Sequence, residues 1–372
     1  MKICYIADSD IIITIRYVRY FVEQGHEVYL IPAKIHAFDV EMEGSELEGI
    51  NIINLGFNWR DTNVIKLMFS LRKILKAISP ELIHIMNFTK VGMAAAFVSG
   101  EIPVVFTPWG ADLIRPRRTL SRSNFMLRIF MSKISIQLAG SCIMHLNAVK
   151  YGLRPEYCRL IDLGIDTEKF KAGIDTYRLK RKLNIPEGKK IVLVPRQWSI
   201  KQNTELILRA IPLVLKEYPN TVFIFKNVVG SLGPLLERVK KELYLTTEVH
   251  LIDRDSTPVE SYKELPLYYN LAAITVSIPT WDAGAPYTVS EAMACGSIPI
   301  VSPANNVWVK NRKNGLIIIP ESIEAIANGI IEILNNPEWV QGASSFNQQI
   351  IDWGLNFNVT MAEISNIYSE IV

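Results

Sequence analysis

Arg196 and Lys201 stand five residues apart in LVPRQWSIKQNTELILRAI, after an apolar strand-like run and before a helical one. Two cations at the carboxyl end of a strand clamp a diphosphate and stabilise the charge that gathers on it as a leaving group. A solvated surface pair is the other reading of the same two residues. The stretch TWDAGAPYTVSEAMACGSIPIVS (Thr280–Ser302) supplies a complementary set. Its loop, with Asp282, Gly284 and Pro286, leads into a short helical segment whose first N–H groups make an anion site. Glu291 lies about one turn in, where it would repel a phosphate lying directly against it and suits neutral hydroxyls such as those of a ribose. Either it serves the ribose of a nucleotide diphosphate, or it stabilises the helix start through the dipole.

Positioning these groups takes strands that end where the loops begin, and the chain is patterned for that. Apolar runs expected as strands are Ile3–Ala7, Val28–Ile31, Ile50–Leu55, Leu82–Met86, Val104–Thr107 and Ser141–Leu146, then Ile191–Val194, Thr221–Phe225, Val249–Ile252, Ile274–Ile278, Ile298–Val301 and Leu316–Ile319. Helical periods lie between them, including Ile13–Gln24, Val64–Ile78, Ser121–Ala139, Thr204–Lys216, Pro234–Glu242, Tyr262–Leu271 and Ser322–Leu334. Strands apolar on both faces and alternating with helices mean parallel sheets covered on each side. The alternation restarts after Phe170, past the polar stretch KAGIDTYRLKRKLNIPEGKK. The expectation is α/β with two doubly wound units, ligand binding at the carboxyl ends of the strands, and an active site in a cleft between the units.

Composition agrees with a folded enzyme-sized chain. The 372 residues are 49% hydrophobic with a net charge of +3, a size that suggests two domains. No run reaches the length of a membrane span, and MKICYIAD enters a strand without the zones of a signal peptide. Cys4, Cys142, Cys158 and Cys295 are scattered; Cys4 and Cys142 fall in strand-like runs and are expected as reduced core thiols, which gives a cytoplasmic address. His26, His36, His84, His145 and His250 show no metal-ligand spacing, and the last three fall in strand-like runs where hydrogen-bonded core histidines are expected. No Gly-x-Gly-x-x-Gly follows either first strand, which argues against a dinucleotide-dependent dehydrogenase.

Taken in order, these segments resemble a retaining glycosyltransferase of family 4, with the GT-B architecture of two facing Rossmann-like domains. The resembling pieces are FVEQGHEVYLI (Phe21–Ile31), PWGADLI (Pro108–Ile114), LIDLGIDTEKF (Leu160–Phe170), the Arg196/Lys201 pair and SEAMACGSIPIVS. The resemblance implies an acceptor-side domain over 1–165, a nucleotide-sugar domain over 166–345 and a helical segment, 346–372, packing back toward the first. It implies that Arg196 and Lys201 hold the donor diphosphate and Glu291 the ribose. Gly284, Ala285, Pro286, Tyr287 and Thr288 would approach phosphate and sugar, and Asp253, in LIDRD, would lie where a strand end meets the base. Asp8, Ser9, Thr14 and Arg16, in a first loop without the family's Gly-Gly pair, resemble a variant acceptor-side loop, joined by Trp109 and Gly110.

The chain also departs from the family pattern. The first acid of the E-x7-E pair should stand at position 283, which is alanine; Asp282 is one residue earlier and takes over only if the loop bulges. Trp109 replaces a common histidine, so Asp112 becomes the acidic candidate beside the acceptor, with helix capping as its plainer role and His145 behind it. Asp8-Ser9-Asp10 and Asp253-Arg254-Asp255 are formal DxD tripeptides, but such tripeptides favour turns and caps, and no required metal or cofactor is expected.

From Leu113 to Pro155 there is no acid, and Arg115, Arg117, Arg118, Arg122, Arg128 and Lys133 alternate with apolar side chains. That stretch, Arg115–Lys133, suits an anionic membrane surface, the reading taken ahead of a core-facing helix with a basic rim. The small net charge gives no case for nucleic acid. The expected activity is transfer of a sugar from a nucleotide diphosphate to a sugar or lipid-linked acceptor hydroxyl with retention. A nucleotide-sugar epimerase on the same architecture, or a subunit that binds without turnover, are the alternatives.

Overall fold

The computed structural model describes residues 1–8, 11–33, 47–58, 62–114, 122–227, 232–253, 258–284 and 286–372. By contact the chain forms two units, Met1–Leu163 with Thr360–Val372, and Gly164–Val359.

The first unit runs β1 (Lys2–Ala7), α1 (Ile12–Glu23), β2 (Glu27–Pro32), β3 (Ile50–Ile52), α2 (Val64–Ile78), β4 (Leu82–Met86), α3 (Lys90–Val98), β5 (Val104–Thr107), α4 (Ala111–Ile114), α5 (Arg122–Met131), β6 (Ile136–Ala139), α6 (Cys142–Lys150) and β7 (Cys158–Leu160). Its parallel sheet has the order β3-β2-β1-β4-β5-β6-β7, so the winding reverses between β1 and β4. The second unit runs α7 (Tyr177–Lys182), β8 (Lys190–Val194), α8 (Thr204–Glu217), β9 (Thr221–Lys226), α9 (Gly233–Glu242), β10 (Val249–Ile252), α10 (Pro258–Leu271), β11 (Ile274–Ser277), α11 (Tyr287–Ala294), β12 (Ile298–Val301), β13 (Leu316–Ile317), α12 (Ile323–Leu334) and α13 (Pro337–Ile350). Its order is β10-β9-β8-β11-β12-β13, and the reversal falls between β8 and β11. The last helix, α14 (Phe357–Ile371), joins the first unit from Thr360 onward.

The elements form for local reasons. β4 is buried along its whole length, as a strand covered on both faces must be. The Asn63 side chain caps α2 by accepting from Ile65 N, Ser79 ends the helix in the left-handed region, and Leu67, Leu71 and Leu75 recur every four residues on its buried face. Those leucines share an apolar cluster with Leu127, Phe130 and Met131 of α5, while α3 touches both helices.

One expected strand is a helix. Ser141–Leu146 lies in α6, and the strand is β6, inside the segment expected as helix up to Ala139. Ser141 accepts from Met144 N and starts a helix that buries Met144 and Ala148 and turns Ile143 and Leu146 to solvent. Apolar residues at 143, 144 and 146 satisfy either period over so short a window, and the cap decides. His145 is therefore helical and not at a strand end, and Cys142 is exposed and not a core thiol.

α14 is fastened to the first sheet by a buried polar cluster. His84 of β4, fully buried, pairs through Nδ1 with the Tyr368 hydroxyl and through Nε2 with the Thr107 hydroxyl at 2.7 Å. The Tyr5 and Tyr368 hydroxyls are 3.3 Å apart, and Phe21 stacks on Tyr368 at 4.9 Å. Burial lowers the His84 pKa to about 3, so the folded state holds a neutral imidazole. Below the ordinary value of 6.5 the unfolded chain takes up a proton that the folded chain refuses. Stability therefore falls as the pH drops from 6.5 toward 3, by at most about 1.4 kcal/mol per pH unit from this group. His26 and His250 are shifted the same way, so the contribution of His84 is a difference between variants. Between pH 6.5 and 5 the melting temperature of His84→Gln should fall less steeply than that of the parent; parallel slopes would remove the assignment.

Candidate functional site

In a doubly wound sheet the crevice at the winding reversal lies outside the carboxyl ends of two strands whose connections depart in opposite directions. In the second unit those strands are β8 and β11, and the candidate residues follow them directly. Arg196 comes two residues after β8, Asp282 five residues after β11, and the two side chains meet at 2.6 Å between Nη2 and Oδ2. Arg196 also donates through Nε to Gln202 Oε1 at 3.1 Å and through Nη1 to Thr288 Oγ1 at 2.8 Å. Three acceptors from three separate segments fix the guanidinium plane. Lys201 Nζ lies 3.8 Å from Asp282 Oδ1 and 4.0 Å from the centre of the Trp281 ring. Lys201 O accepts from Thr280 N, and Asn203 Nδ2 donates to Ile278 O, so the two loops are tied by backbone as well.

The Arg196 and Asp282 side chains are 17% and 15% exposed, so water screens their attraction less than that of a surface pair. Asp282 Oδ1 also accepts from Ala283 N, its own neighbour, and Ala283 is buried. The acid expected at 283 is thus displaced onto the two cations.

Glu291 sits just past the middle of α11, nearly fully buried, and its Oε2 accepts from the Tyr269 hydroxyl of α10 at 3.0 Å. Burial and then the Glu291 charge push Tyr269 well above the ordinary tyrosine value, and the same two causes push Cys295 up to about 12. The helix begins after Pro286 with no side-chain cap, and Val289 N donates to the Pro286 carbonyl at 3.0 Å. Gly284 holds φ +92° just ahead of it, and its carbonyl accepts from Val307 N. Thr288 is engaged with Arg196, and Tyr287 is the first helical residue; Ala285 lies outside the described residues. Asp253 follows β10, where its Oδ1 accepts from Asn227 Nδ2 at 2.8 Å, and Asn227 Oδ1 accepts from Trp198 N. That chain joins the ends of β8, β9 and β10.

The first unit places its candidates after β1, on α1 and after β5, on either side of its β1–β4 winding reversal. Asp8 follows β1 and is buried, with Thr14 and Arg16 on α1, while Ser9 and Asp10 lie outside the described residues. Asp112 accepts from Gly110 N at 2.9 Å, Phe88 N at 3.1 Å and Trp109 N at 3.4 Å, bracing the loop after β5 against the end of β4. Burial raises its pKa above the ordinary value against the pull of those N–H groups. Gly110 supplies φ +110° in the same turn, and the Trp109 indole N–H is buried with no hydrogen-bond partner among the described residues.

Gln202, Trp281, Tyr269 and Asn227 were not expected. Gln202 and Trp281 adjoin Lys201 and Asp282 in sequence, which is the signal that could have found them. Of the expected basic stretch, 115–121 lie outside the described residues; Phe125, Arg128 and Lys133 are exposed, and Leu127, Phe130 and Met131 are buried. Among the described residues no three His, Cys, Asp or Glu gather as a metal site, and no helix is long and apolar enough to cross a membrane.

Comparison with known proteins points one way. A family model described as glycosyl transferases group 1 matches residues 175–350, and one described as glycosyl transferase 4-like matches residues 2–140. An uncharacterized glycosyltransferase of Haemophilus influenzae is 30% identical over 203 residues, 50% of this chain and 54% of that protein, so the chain spans about half of that relative's length. A UDP-Gal:alpha-D-GlcNAc-diphosphoundecaprenol alpha-1,3-galactosyltransferase of Escherichia coli is 25% identical over 323 residues, 82% of this chain and 80% of that one. In fold, Anabaena HepE, crystallised with UDP, superposes with a TM-score of 0.81 over 100% of both chains at 17% identity. The two models, each described as a glycosyl transferase, fall one on each unit, and the fold of two parallel-sheet Rossmann-like units is of the GT-B kind.

Proposed function

We propose that the chain transfers a sugar from a nucleotide diphosphate to an acceptor hydroxyl, with retention of anomeric configuration. The observation that carries this reading is the gathering of Arg196, Lys201 and the uncapped start of α11 beside the β8–β11 reversal. The two side chains and the helix N–H groups bind the diphosphate and stabilise its charge as the bond to the sugar breaks. Glu291, held by Tyr269, takes the ribose hydroxyls, where its charge is turned to neutral donors. The donor is a UDP-sugar on this reading, supported by the UDP in the HepE crystal and the UDP-Gal of the E. coli relative. The diphosphoundecaprenol in that relative's name favours a lipid-linked saccharide as acceptor, received beside Asp8, Arg16 and Trp109 on the first unit. Asp112 keeps that loop in shape.

Retention follows if the acceptor hydroxyl attacks the oxocarbenium-like sugar from the face the diphosphate leaves. The leaving oxygen, stabilised by Arg196 and Lys201, then takes the acceptor proton. The bond from sugar to phosphate oxygen breaks and the bond to the acceptor oxygen forms, without a covalent sugar-enzyme intermediate.

Lys201→Ala and Glu291→Ala should each lower transfer from a UDP-sugar by about 100-fold or more while near-UV circular dichroism stays unchanged. Parental turnover in both variants would refute the site. Release of nucleotide diphosphate that depends on acceptor supports transfer; an isomerised sugar nucleotide would favour an epimerase, and binding without release a non-catalytic subunit.

Asp282 gives a second, independent expectation. It neutralises Arg196 before any ligand arrives, so a diphosphate competes with it for the same cation. Asp282→Asn should therefore bind UDP about tenfold more tightly in calorimetry and melt at a lower temperature without ligand. Weaker UDP binding in that variant would mean that Asp282 grips the donor itself.

A further inference from the structure

The outer face of α2 has no role in the fold or in the site. Ile65 and Phe69, one turn apart, are 62% and 64% exposed, although the opposite face of the helix already fills the core. Lys66, Arg72, Lys73 and Lys76 are exposed as well. At 3.6 residues per turn all six fall within an arc of about 120°, the apolar pair at one end of the stripe and most of the cations toward the other. No Asp or Glu occurs from Thr62 to Pro80. Among the described residues Arg72, Lys73 and Lys76 have no carboxylate partner, and Lys66 rests over the Phe57 ring at 5.3 Å. Two shallow depressions follow the stripe. One, of about 540 Å³, is lined by Asn63, Ile65, Lys66, Phe69 and Lys73, and the next, of about 360 Å³, includes Arg72, Lys76 and Pro80.

We infer that this face of α2 docks on an anionic lipid surface, the apolar pair entering the headgroup boundary and the cations lying among the phosphates. The charge pattern selects the occupant. Protein interfaces are depleted in lysine and bury their apolar centre inside a rim, whereas here apolar tips project beside a row of lysines with no fixed counter-charge. That is the pattern of interfacial helices on acidic membranes. α5 packs on the same apolar cluster, and Phe125 and Arg128 on it and Lys133 just after it are exposed as well. The docking goes beyond the transfer reaction and holds or fails without it.

The test is flotation of the full chain with vesicles of phosphatidylcholine alone and with vesicles in which a third of the lipid is phosphatidylglycerol. Recovery is expected with the anionic vesicles only and should be lost in high salt. Lys73→Glu with Lys76→Glu should lower the vesicle partition coefficient by about 30-fold or more, from about 1 kcal/mol per lysine. Phe69→Ser should lower it by about tenfold. Both variants change exposed side chains, and unchanged melting temperatures show that they fold. Equal recovery on neutral vesicles, no recovery on anionic ones, or parental binding by the charge-reversed variant would each overturn the inference. So would loss of binding only in Arg128→Glu with Lys133→Glu, which would move the contact to α5. A dimer in solution that the Phe69→Ser variant dissolves would assign the face to a second copy instead.

Discussion

The candidate donor site depends on the ion pair between Arg196 and Asp282, and the pair depends on topology. The two residues are 86 positions apart and meet because β8 and β11 are neighbours in the sheet while their following loops leave in opposite directions. A parallel sheet that wound in one sense throughout would separate those loops by the helix packed between them. The reversal creates the crevice, and an arginine with three separate acceptors then fixes the shape of its floor. The remaining groups are arranged around that floor, with Lys201 on the Trp281 ring, Thr288 at the helix start and Glu291 behind it.

Much of the fold could be read from periodicity because the strands are apolar on both faces and short. Val64–Ile78 and Leu82–Met86 were expected with the boundaries that the structure has. The failure at Ser141–Leu146 is equally physical. Six residues carry too few repeats to separate a period of two from one of 3.6, and a single capping hydroxyl decided for helix. The two-unit organisation followed from the restart of the pattern after Phe170. The return of the chain to the first unit at Thr360 rests on Tyr368 reaching His84, a pairing across 284 residues that no local pattern encodes.

The candidate site was legible in its charged residues and not in what holds them. Arg196, Lys201 and Glu291 are noticeable because a cation after a strand, or an acid inside a buried helix, needs a reason. Gln202, Asn227 and Tyr269 are ordinary residues whose importance comes from one or two hydrogen bonds each. Such bonds are set by the packing of α10 on α11 and of β9 beside β8. A single chain records that packing only as hydrophobic pattern.

The acid at 282 shows how much one position can mean. Successive residues of an extended loop turn their side chains in opposite directions, so moving a carboxylate by one residue changes its direction as well as its distance. At 282 it faces two cations; at 283 there is a buried methyl group. The shift alters the charge of the site: Arg196 and Lys201 are offset by Asp282, with the Glu291 carboxylate as a second anion nearby. Asp282 gives the part-buried arginine a fixed counter-charge. The same balance limits how strongly it holds a product diphosphate. On the proposed function, that would ease release of the spent nucleotide after each transfer.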